Sequence, residues 1–507
     1  MPEYSTLAAV DLGSNSFHCQ IGRVVGDQIY PLDALREPVR LGAGLTADKT
    51  LDDASQERAL ACLQRFGERL RGFDPHTVRA VGTNTLRVAK DAPAFLKKAR
   101  VALGFPIEVV AGREEARLIY IGVAHGLPPS RDRRLVVDIG GGSTEFIIGS
   151  GYKPQKLDSL FMGCVSYSLH FFPDGKVTKS AMKAAELAAR EELQPMARSF
   201  SRRNWQQAVG SSGTVRAIAE ILQLNGFDEG SITPDGVDRL RSSLIKAGDM
   251  DRAELAGLKA DRVPVLPGGL AIMGAVLSEL EIDEMVPATG AMRQGVLYDM
   301  LGRIHRKDMR DVTVAQFMQR YHVDALQARR VGALAYTLYE KLTVDAKAPD
   351  EAAPRLIAWA AKLHEIGITV SYGGYHKHSA YILGNADMPG FSRDEQNRLA
   401  RLVLAHRRSL RKVYDKLDDG DDVAMALALR LAVLLSRGRV DAGVPSIHVK
   451  IQGRRFRIEL PREWLLKNPL TVNTLSAEVR EWQRVGVELR IPGLEELEAA
   501  AELALAS

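Results

Sequence analysis

The chain is poor in cysteine and lacks any long apolar run. Its three cysteines, Cys19, Cys62 and Cys164, are odd in number and lie in mostly apolar settings. This excludes a disulfide framework or a zinc site and is typical of reduced thiols. No stretch approaches the roughly 18 apolar residues of a transmembrane helix, and the N-terminus shows no basic segment of a secretory signal. The sequence therefore predicts a cytoplasmic protein, with peripheral membrane association left open.

Aromatic residues are also scarce, at 6% of the chain, and they are not interleaved with basic residues. Proteins that bind single-stranded nucleic acid commonly stack bases on aromatic side chains placed along a basic groove. We therefore expect no specific nucleic-acid partner.

The composition is that of an ordinary globular protein, with 46% hydrophobic and 26% charged residues. A length of 507 residues corresponds to about three domains of roughly 150 residues. Residues 1–303 hold 37 Lys and Arg against 37 Asp and Glu, whereas residues 304–507 hold 31 against 26. A neutral front half and a basic back half indicate a site in front and a surface for a polyanion behind. The alternative for the basic half is an ordinary solvated face.

Hydrophobic patterns divide the chain into four regions. Residues 1–126 and 127–303 each alternate strand-like and helix-like segments, which predicts an α/β layer fold. The two regions open with similar segments, LAAVDLGSNS and LVVDIGGGST, and this weak internal repeat predicts two related lobes that face each other. The pattern predicts a succession of helices over residues 304–445. Over residues 446–507 it predicts a small α+β domain that ends in an acidic helix.

Three turns rich in glycine, serine and threonine are candidate phosphate-binding loops. Backbone N–H groups and hydroxyls of such a turn bind phosphate oxygens, and an Asp at the end of the preceding strand can hold a bridging metal. One turn of this kind is more often an ordinary loop, but two of these three follow a strand that ends in Asp. The turns are residues 11–16, 138–144 and 210–214.

The two Asp-Gly-Ser turns resemble those of the actin, sugar-kinase and heat-shock-chaperone superfamily. A longer series of segments resembles the exopolyphosphatase and guanosine pentaphosphate phosphohydrolase family, in the same order and over nearly the whole chain. These segments are AAVDLGSNSFH, GTNTLR, GREEARLIY, VVDIGGGSTEF, MGCVSYS, VGSSGTVRA, MRQGVLYDM, LHEIG and HKHSAYIL. Within that family, Gly142 and residues 376–382 look more like exopolyphosphatases.

The resemblance implies a fold for each region. Residues 1–126 and 127–303 would be two actin-like or sugar-kinase-like (ribonuclease H-like) lobes, residues 304–445 an all-α HD-like domain, and residues 446–507 the small α+β domain. A homodimer is also implied. For a substrate held between two lobes we expect closure by rotation near residues 124–127, which excludes water from the terminal phosphoryl group.

Two adjacent carboxylates, Glu114 and Glu115, begin a helix in the segment GREEAR. Such a pair often does no more than interact favourably with the helix dipole. Hydrolysis of a phosphoanhydride needs a group that activates water, and the resemblance places the catalytic carboxylate at the second Glu. Glu115 is therefore the predicted general base, and Glu114 the helix-start carboxylate.

The carboxylates beside the two Asp-Gly-Ser turns predict a magnesium site. Asp138 and Glu145 are the expected metal-side ligands, and Asp11 is expected to act through water or to orient the metal. Hard oxygen ligands and phosphate suit Mg²⁺, and a monovalent cation such as K⁺ stays open. A single strand-end Asp, in contrast, is more often a turn former.

Arg87 ends the segment GTNTLR and is predicted to contact phosphate directly, because a guanidinium binds two oxygens at once. A solvated arginine is the alternative. The other predicted phosphate ligands are neutral donors in the three turns: Ser14, Asn15, Ser16, Gly141, Gly142, Ser143, Thr144, Ser212, Gly213 and Thr214.

The helical region is rich in histidine. LHEIG resembles the metal-binding His-Asp pair of HD phosphohydrolases, but Glu365 replaces the Asp and displaces the ligand by about one methylene. This predicts an HD-like scaffold without catalysis of its own, and a buried core histidine is the alternative for His364. A channel for polyphosphate is predicted at His378, Arg407 and Arg408, since a long anion needs cations outside the reaction centre.

The predicted function is processive hydrolysis of inorganic polyphosphate from its end, which releases orthophosphate. Removal of the terminal phosphate of guanosine pentaphosphate uses the same site and is the alternative enzyme function. A sugar kinase or actin-like ATPase would need an adenosine pocket and a base for an acceptor sugar. A catalytically silent polyanion- or RNA-binding protein would not need Glu115.

Overall fold

The computed structural model describes residues 6–128, 130–304, 308–344, 350, 352–417, 420–440, 445–452 and 455–497. The chain divides into two compact units. The first comprises Met1–Met309 together with Pro389–Arg393, and the second comprises Arg310–Met388 and Asp394–Ser507. The short segment Pro389–Arg393 thus lies in the first unit, although the chain on either side of it belongs to the second.

The first lobe of the first unit is a sheet of five strands in the order β3-β2-β1-β4-β5. The strands are β1 (Thr6–Leu12), β2 (Phe17–Val25), β3 (Gln28–Glu37), β4 (Val78–Gly82) and β5 (Ile107–Val109). The helices are α1 (Asp53–Arg69), α2 (Asn84–Val88), α3 (Ala92–Leu103) and α4 (Gly112–His125). In α1 the side chain of Asp52 accepts the N–H of Ser55 at 2.6 Å, and Ala59, Leu63 and Phe66 are buried, as their spacing predicts.

The second lobe is a sheet of five strands in the order β10-β9-β6-β7-β8. The strands are β6 (Arg133–Ile139), β7 (Thr144–Ser150), β8 (Lys153–Leu160), β9 (Gln207–Ser211) and β10 (Met285–Pro287). The helices are α5 (Cys164–Phe171), α6 (Lys179–Phe200), α7 (Ser212–Leu224), α8 (Pro234–Ala247), α9 (Leu266–Glu279) and α10 (Met292–Ile304).

The two sheets share one topology, which confirms the predicted internal repeat. β1 and β2 pair antiparallel with Asp11 opposite His18, and β6 and β7 pair antiparallel with Asp138 opposite Glu145. In each lobe the first strand also pairs in parallel with the fourth, β1 with β4 and β6 with β9. The turns that follow β1 and β6 therefore occupy corresponding places at the carboxyl ends of their sheets, where α/β folds bind ligands.

Each lobe has its own apolar core, and a third core lies between the two sheets. This shared core joins Leu7 and Val81 of the first lobe to Val136 and Val209 of the second. The sequence boundary assigns α10 to the second lobe, but this helix packs on α4 and β1. The two lobes are thus joined by packing as well as by the chain.

Helices α4 and α10 cross in backbone contact at glycines. A Cβ atom on Gly295 would lie 1.7 Å from the carbonyl oxygen of Leu118, and one on Gly122 would lie 2.0 Å from that of Ala291. Neither position has room for a side chain. The crossing therefore fixes the position of α4 relative to α10.

Helices dominate the second unit, as the sequence predicts. They are α11 (Met309–Arg320), α12 (Ala325–Leu342), α13 (Ala353–Leu363), α14 (Tyr375–Asn385), α15 (Arg393–Ala405), α16 (Asp421–Leu435), α17 (Arg462–Lys467) and α18 (Pro469–Gln483). A small sheet in the order β11-β12-β13 contains β11 (His448–Gln452), β12 (Arg455–Glu459) and β13 (Glu488–Arg490). This agrees with the predicted C-terminal α+β region, while the HD-like character of the helical part stays a prediction.

Residues 498–507, which form most of the predicted acidic helix, lie outside the described residues. Within the part of the chain that the structure describes, no helix combines the length and the apolar character needed to cross a membrane.

Candidate active site

Two turns of corresponding geometry follow β1 and β6. A Cβ atom on Gly13 would lie 2.9 Å from the carbonyl oxygen of Ser16, and one on Gly140 would lie 2.9 Å from that of Ser143. Both turns are too tight for a side chain at the glycine. The sequence therefore has glycine where each strand passes into its turn.

The turns of the two lobes contact each other. A Cβ atom on Gly142 would lie 2.4 Å from Oδ1 of Asn84, and one on Gly141 would lie 2.9 Å from Cβ of Ser14. Thr85 Oγ1 donates to Ser14 Oγ at 2.8 Å. The glycines of the second lobe thus bring its backbone against the first lobe's turn.

The third turn lies at the start of α7. Ser212 has a φ of +93°, in the left-handed region that is costly for a residue with a side chain. Its Oγ accepts the N–H groups of Thr214 and Val215, both at 3.2 Å. A Cβ atom on Gly213 would lie 2.3 Å from Nη2 of Arg262, so this turn brings a guanidinium against the backbone.

The three turns line one cavity of about 490 Å³ in the first unit. Most residues that the sequence predicts for this site line it: Asp11, Ser14, Asn15, Ser16, Glu115, Asp138, Gly141, Gly142, Ser143, Ser212, Gly213 and Thr214. The remaining three, Arg87, Thr144 and Glu145, are not among the lining residues.

Thr144 and Glu145 lie at the start of β7, behind the cavity lining. Thr144 is fully buried and its hydroxyl donates to the carbonyl oxygen of Met162 at 2.6 Å, so it is not free to bind phosphate, contrary to the prediction. Glu145 is buried too, and its Oε1 accepts the hydroxyl of Ser159 at 2.8 Å. The Glu145 carboxylate also interacts with Ser143 of the turn and lies near Glu115 and Asp138, so it adjoins the cavity without lining it.

Glu115 lies in the first turn of α4 and lines the cavity. Nη1 of Arg87 lies 2.6 Å from its Oε2 and 3.0 Å from the carbonyl oxygen of Val110. Arg87 was predicted to contact phosphate directly. In the structure it contacts the carboxylate of the predicted general base, and its contact with phosphate stays a prediction.

Glu114 points away from the cavity into a buried network of charges. Its carboxylate accepts Nε and Nη2 of Arg117 at 2.7 and 2.8 Å, and Arg117 also pairs with Asp299 at 2.5 Å. Glu114 Oε2 further accepts the N–H of Gly390 at 2.9 Å, and Arg303 Nη2 donates to the carbonyl oxygen of Gly390 at 3.0 Å. Glu114 is thus a helix-start carboxylate, as predicted. Its buried ion pairs hold it there in addition to the helix dipole.

The carboxylates near the cavity are crowded. Burial, and next the negative charge of Glu115, raise the pKa of Asp11 to about 8. Burial also raises the pKa of Asp138 to about 6. The pKa of Glu145 is held well above its ordinary value by burial, then by Glu115 and Asp138. Such a group of negative charges favours a bound cation.

The predicted metal ligands fit Mg²⁺ only together with other oxygens. Among the described residues no group of three His, Cys, Asp or Glu side chains converges on one metal position, so Asp11, Asp138 and Glu145 do not form a complete site by themselves. Mg²⁺ commonly binds through one or two carboxylates and completes its shell with water and substrate phosphate. Asp11 and Asp138, which line the cavity, suit that arrangement.

Four arginines line the cavity that the sequence reasoning did not identify. They are Arg36, Arg216, Arg262 and Arg293. Burial lowers the pKa of Arg216, Arg262 and Arg293, and a second arginine is the next cause for Arg216 and Arg262. Arg216 and Arg293 lie in the family segments VGSSGTVRA and MRQGVLYDM, so the sequence offered a signal for these two. Arg36 and Arg262 lie in no such segment.

Several polar atoms of the lining residues have no hydrogen-bond partner although they are buried. They are Oδ1 of Asn15, Oγ of Ser16, Nδ1 of His18 and Nδ2 of Asn84. Buried polar groups are usually hydrogen-bonded, so atoms left without partners at a cavity are typical of a site that a polar ligand completes. His18 and Asn84 also escaped the sequence reasoning, although both stand in family segments.

Comparison with known proteins gives the family. Residues 20–304 match the family model described as Ppx/GppA phosphatase family, and residues 309–479 match Ppx/GppA phosphatase, domain III. The chain belongs to the Ppx/GppA phosphatase family. It is therefore a phosphoanhydride hydrolase, and the family resemblance seen in the sequence is confirmed.

Individual relatives of this Ppx/GppA chain cover it to different extents. The guanosine-5'-triphosphate,3'-diphosphate pyrophosphatases of two Vibrio cholerae serotype O1 strains are 38% identical over 96% of this chain and 97% of theirs. A crystal structure of an exopolyphosphatase from Cytophaga hutchinsonii is 25% identical, with a TM-score of 0.54 over 59% of this chain and 98% of that one. The Aquifex aeolicus family member, 24% identical with a TM-score of 0.50, covers 59% of this chain and 98% of its own and supports the fold alone.

The predicted channel residues lie in the helical unit. Arg407 and Arg408 line a second cavity there, whereas His378, on α14, is not among its lining residues. His364 is buried; its Nδ1 contacts the carbonyl oxygen of Ala361 at 2.7 Å, whereas its Nε2 has no hydrogen-bond partner among the described residues. The carboxylate of Glu365 pairs with Arg439.

Proposed function

We propose that this phosphatase removes the terminal phosphoryl group of inorganic polyphosphate and releases orthophosphate. The observation that carries the proposal is the lining of the cavity. Arginines, hydroxyls and glycine turns converge there with Glu115 and the strand-end carboxylates of Asp11 and Asp138, and the described lining includes no Phe, Tyr or Trp. A chain of phosphates is recognised by charge and hydrogen bonds, whereas a nucleobase is commonly held against an aromatic ring.

The roles of the residues follow from their places. Glu115 orients a water molecule and takes its proton as the water attacks the terminal phosphorus. Arg87 holds the Glu115 carboxylate in position through their 2.6 Å contact. Arg216, Arg262 and Arg293 carry the charge that the phosphate oxygens need, and Ser16, Asn15 and Asn84 offer polar atoms without partners.

Mg²⁺ is the cation we propose for this site, with Asp11 and Asp138 as the residues that hold it. When bound, it neutralises charge on the phosphoryl oxygens. The homodimer is carried forward as a prediction from the family resemblance. The channel for long chains at His378, Arg407 and Arg408 is carried forward as a prediction from the charge that a long anion needs.

Guanosine pentaphosphate is the second candidate substrate. It is favoured by the 38% identical relatives that are named as guanosine-5'-triphosphate,3'-diphosphate pyrophosphatases. Both substrates present a terminal phosphoanhydride to the same carboxylate, so they differ only in how the remainder is held.

A comparison of initial rates on long polyphosphate and on guanosine pentaphosphate, at one magnesium concentration, tests the proposal. We expect a higher kcat/KM for polyphosphate. A kcat/KM for guanosine pentaphosphate more than tenfold above that for polyphosphate would assign the second candidate, and no phosphate release from either would refute both.

A further inference from the structure

A second cavity, of about 560 Å³, lies wholly within the helical unit. Two glutamates line it, Glu365 and Glu478, together with five arginines: Arg407, Arg408, Arg430, Arg437 and Arg439. Three positive charges are therefore left over once each glutamate is matched with one arginine. The volume falls within the range of about 300–1,000 Å³ that is usual for small-molecule sites.

The two glutamates are already neutralised by two of the arginines. Arg439 pairs with Glu365, and Arg430 donates Nη2 to Oε2 of Glu478 at 2.8 Å. Such pairs fix the shape of the pocket and add no net charge to it.

The other three arginines have no carboxylate partner among the described residues. Arg407 lies with its guanidinium 4.5 Å from the ring centroid of Tyr375. Arg408 follows it with a φ of +64°, three residues after the end of α15. Burial, and next the charge of Arg407, lower the pKa of Arg437. These three residues form a cationic face that makes no ion pair with a described carboxylate.

The histidines beside this pocket do not supply further charge. His364 and His406 are buried with their ring centroids 5.2 Å apart, and burial lowers the pKa of both. An HD-type metal would need the carboxylate next to His364, which is that of Glu365, but Arg439 already pairs with it. The pocket therefore suits an anion rather than a metal.

We propose that this pocket binds a compact anion that carries a diphosphate group. The two to three negative charges of such a group match the three unpaired guanidiniums, and each guanidinium donates two parallel hydrogen bonds to phosphate oxygens. Tyr372 lines the same pocket and is exposed, so its ring offers a face to a base. Inorganic diphosphate and a nucleoside diphosphate are thus the two sources of the group.

Calorimetric titration of the full-length chain with inorganic diphosphate and with GDP, in magnesium-free buffer to prevent turnover, tests the proposal. We expect Arg437→Gln to weaken one binding step at least tenfold, and Arg437→Lys to retain most of it. Arg411→Gln, an exposed arginine outside the lining, is the matched control and should change nothing. Arg262→Gln, in the front cavity, should leave this step intact.

The outcomes separate as follows. Tighter binding of GDP assigns a nucleotide, and equal binding assigns the diphosphate group alone; both support the proposal. Binding that Arg437→Gln leaves unchanged, or that Arg262→Gln removes entirely, would overturn it. Thermal unfolding of each variant shows that the fold is kept, and none of these results depends on which substrate the front cavity hydrolyses.

Discussion

The two cavities are both rich in arginine, yet they differ in what accompanies the charge. The front cavity adds three turns of glycine and hydroxyls, buried polar atoms without partners and a group of carboxylates. In the helical cavity both glutamates are held in ion pairs, and its described lining includes no glycine or serine. Arginine alone makes a place for an anion, whereas hydrolysis also needs a carboxylate that can reach a water molecule.

The largest expected effect comes from Glu115→Gln, which removes the general base from the front cavity. Loss of such a base lowers kcat by about 10²–10⁴-fold, and we expect KM for polyphosphate to change little. Phosphate release measured at several substrate concentrations checks this. Glu57→Gln, on the exposed face of α1, is the matched control, and equal rates for the two variants would exclude Glu115 as the base.

The next effect contrasts glycines of the two units. Gly295→Ala would place a Cβ atom 1.7 Å from the backbone of Leu118, and overpacking of this kind costs about 3 kcal/mol or more. Gly332→Ala, on α12, would meet only Cβ of Ala361 at 3.6 Å and should be neutral or stabilising by up to about 1 kcal/mol. Thermal unfolding of the two variants tests this expectation, and equal melting temperatures would contradict the backbone contact of α4 and α10.

A smaller effect is expected from Arg262→Gln in the front cavity. Loss of one charge-assisted phosphate contact costs about 1.5–3 kcal/mol, so kcat/KM for polyphosphate should fall about tenfold to a hundredfold, mainly through KM. Rates measured over a range of salt concentrations should also become less salt-dependent. Arg252→Gln, exposed in the same lobe, is the control. An unchanged KM would show that the arginine does not bind substrate.

The smallest effect concerns pH and the helical unit. Burial lowers the pKa of His364 and His406, so the unfolded chain binds protons more readily than the folded one below about pH 6.5. Their contribution to stability is full above that pH and is lost as the pH falls. Glu365, Arg439, Tyr375, His376 and Arg407 face them.

Melting temperatures of the full-length chain, measured between pH 7.5 and 5, test this because that range spans the ordinary histidine pKa of about 6.5. His406→Gln should flatten the fall, and the exposed His322→Asn should not. A melting temperature that rises towards pH 5 would contradict the argument.

The sequence predicts the front lobes and their turns well because each turn is continuous. Asp11 and Asp138 stand at strand ends directly before their glycines, so short segments carry both the structure and the chemistry. The arginines at 36, 216, 262 and 293 come together only in the folded chain, and an isolated arginine in a sequence does not differ from a solvated one.

Two side chains have partners that the local pattern does not indicate. Thr144 comes two residues after Gly142, but β7 already begins there and its hydroxyl donates to the carbonyl oxygen of Met162. Arg87 closes a segment that was correctly assigned to the site, yet its partner Glu115 lies 28 positions later. Side-chain direction and long-range partners are set by packing, which local patterns do not specify.

The hydrogen bond from Gly390 to Glu114 ties the helix of the catalytic candidate to a stretch of chain 276 positions away. A polypeptide ending after residue 304 would retain both lobes and all the cavity residues, but Glu114 would lose that donor and Arg303 the acceptor it finds at Gly390. Glu114 would keep its pair with Arg117, but a hydrogen bond to a charged group contributes about 1.5–3 kcal/mol, and this one lies one residue from Glu115. Truncation after residue 304 would therefore disturb the surroundings of Glu115, and it would also remove the cavity of the helical unit.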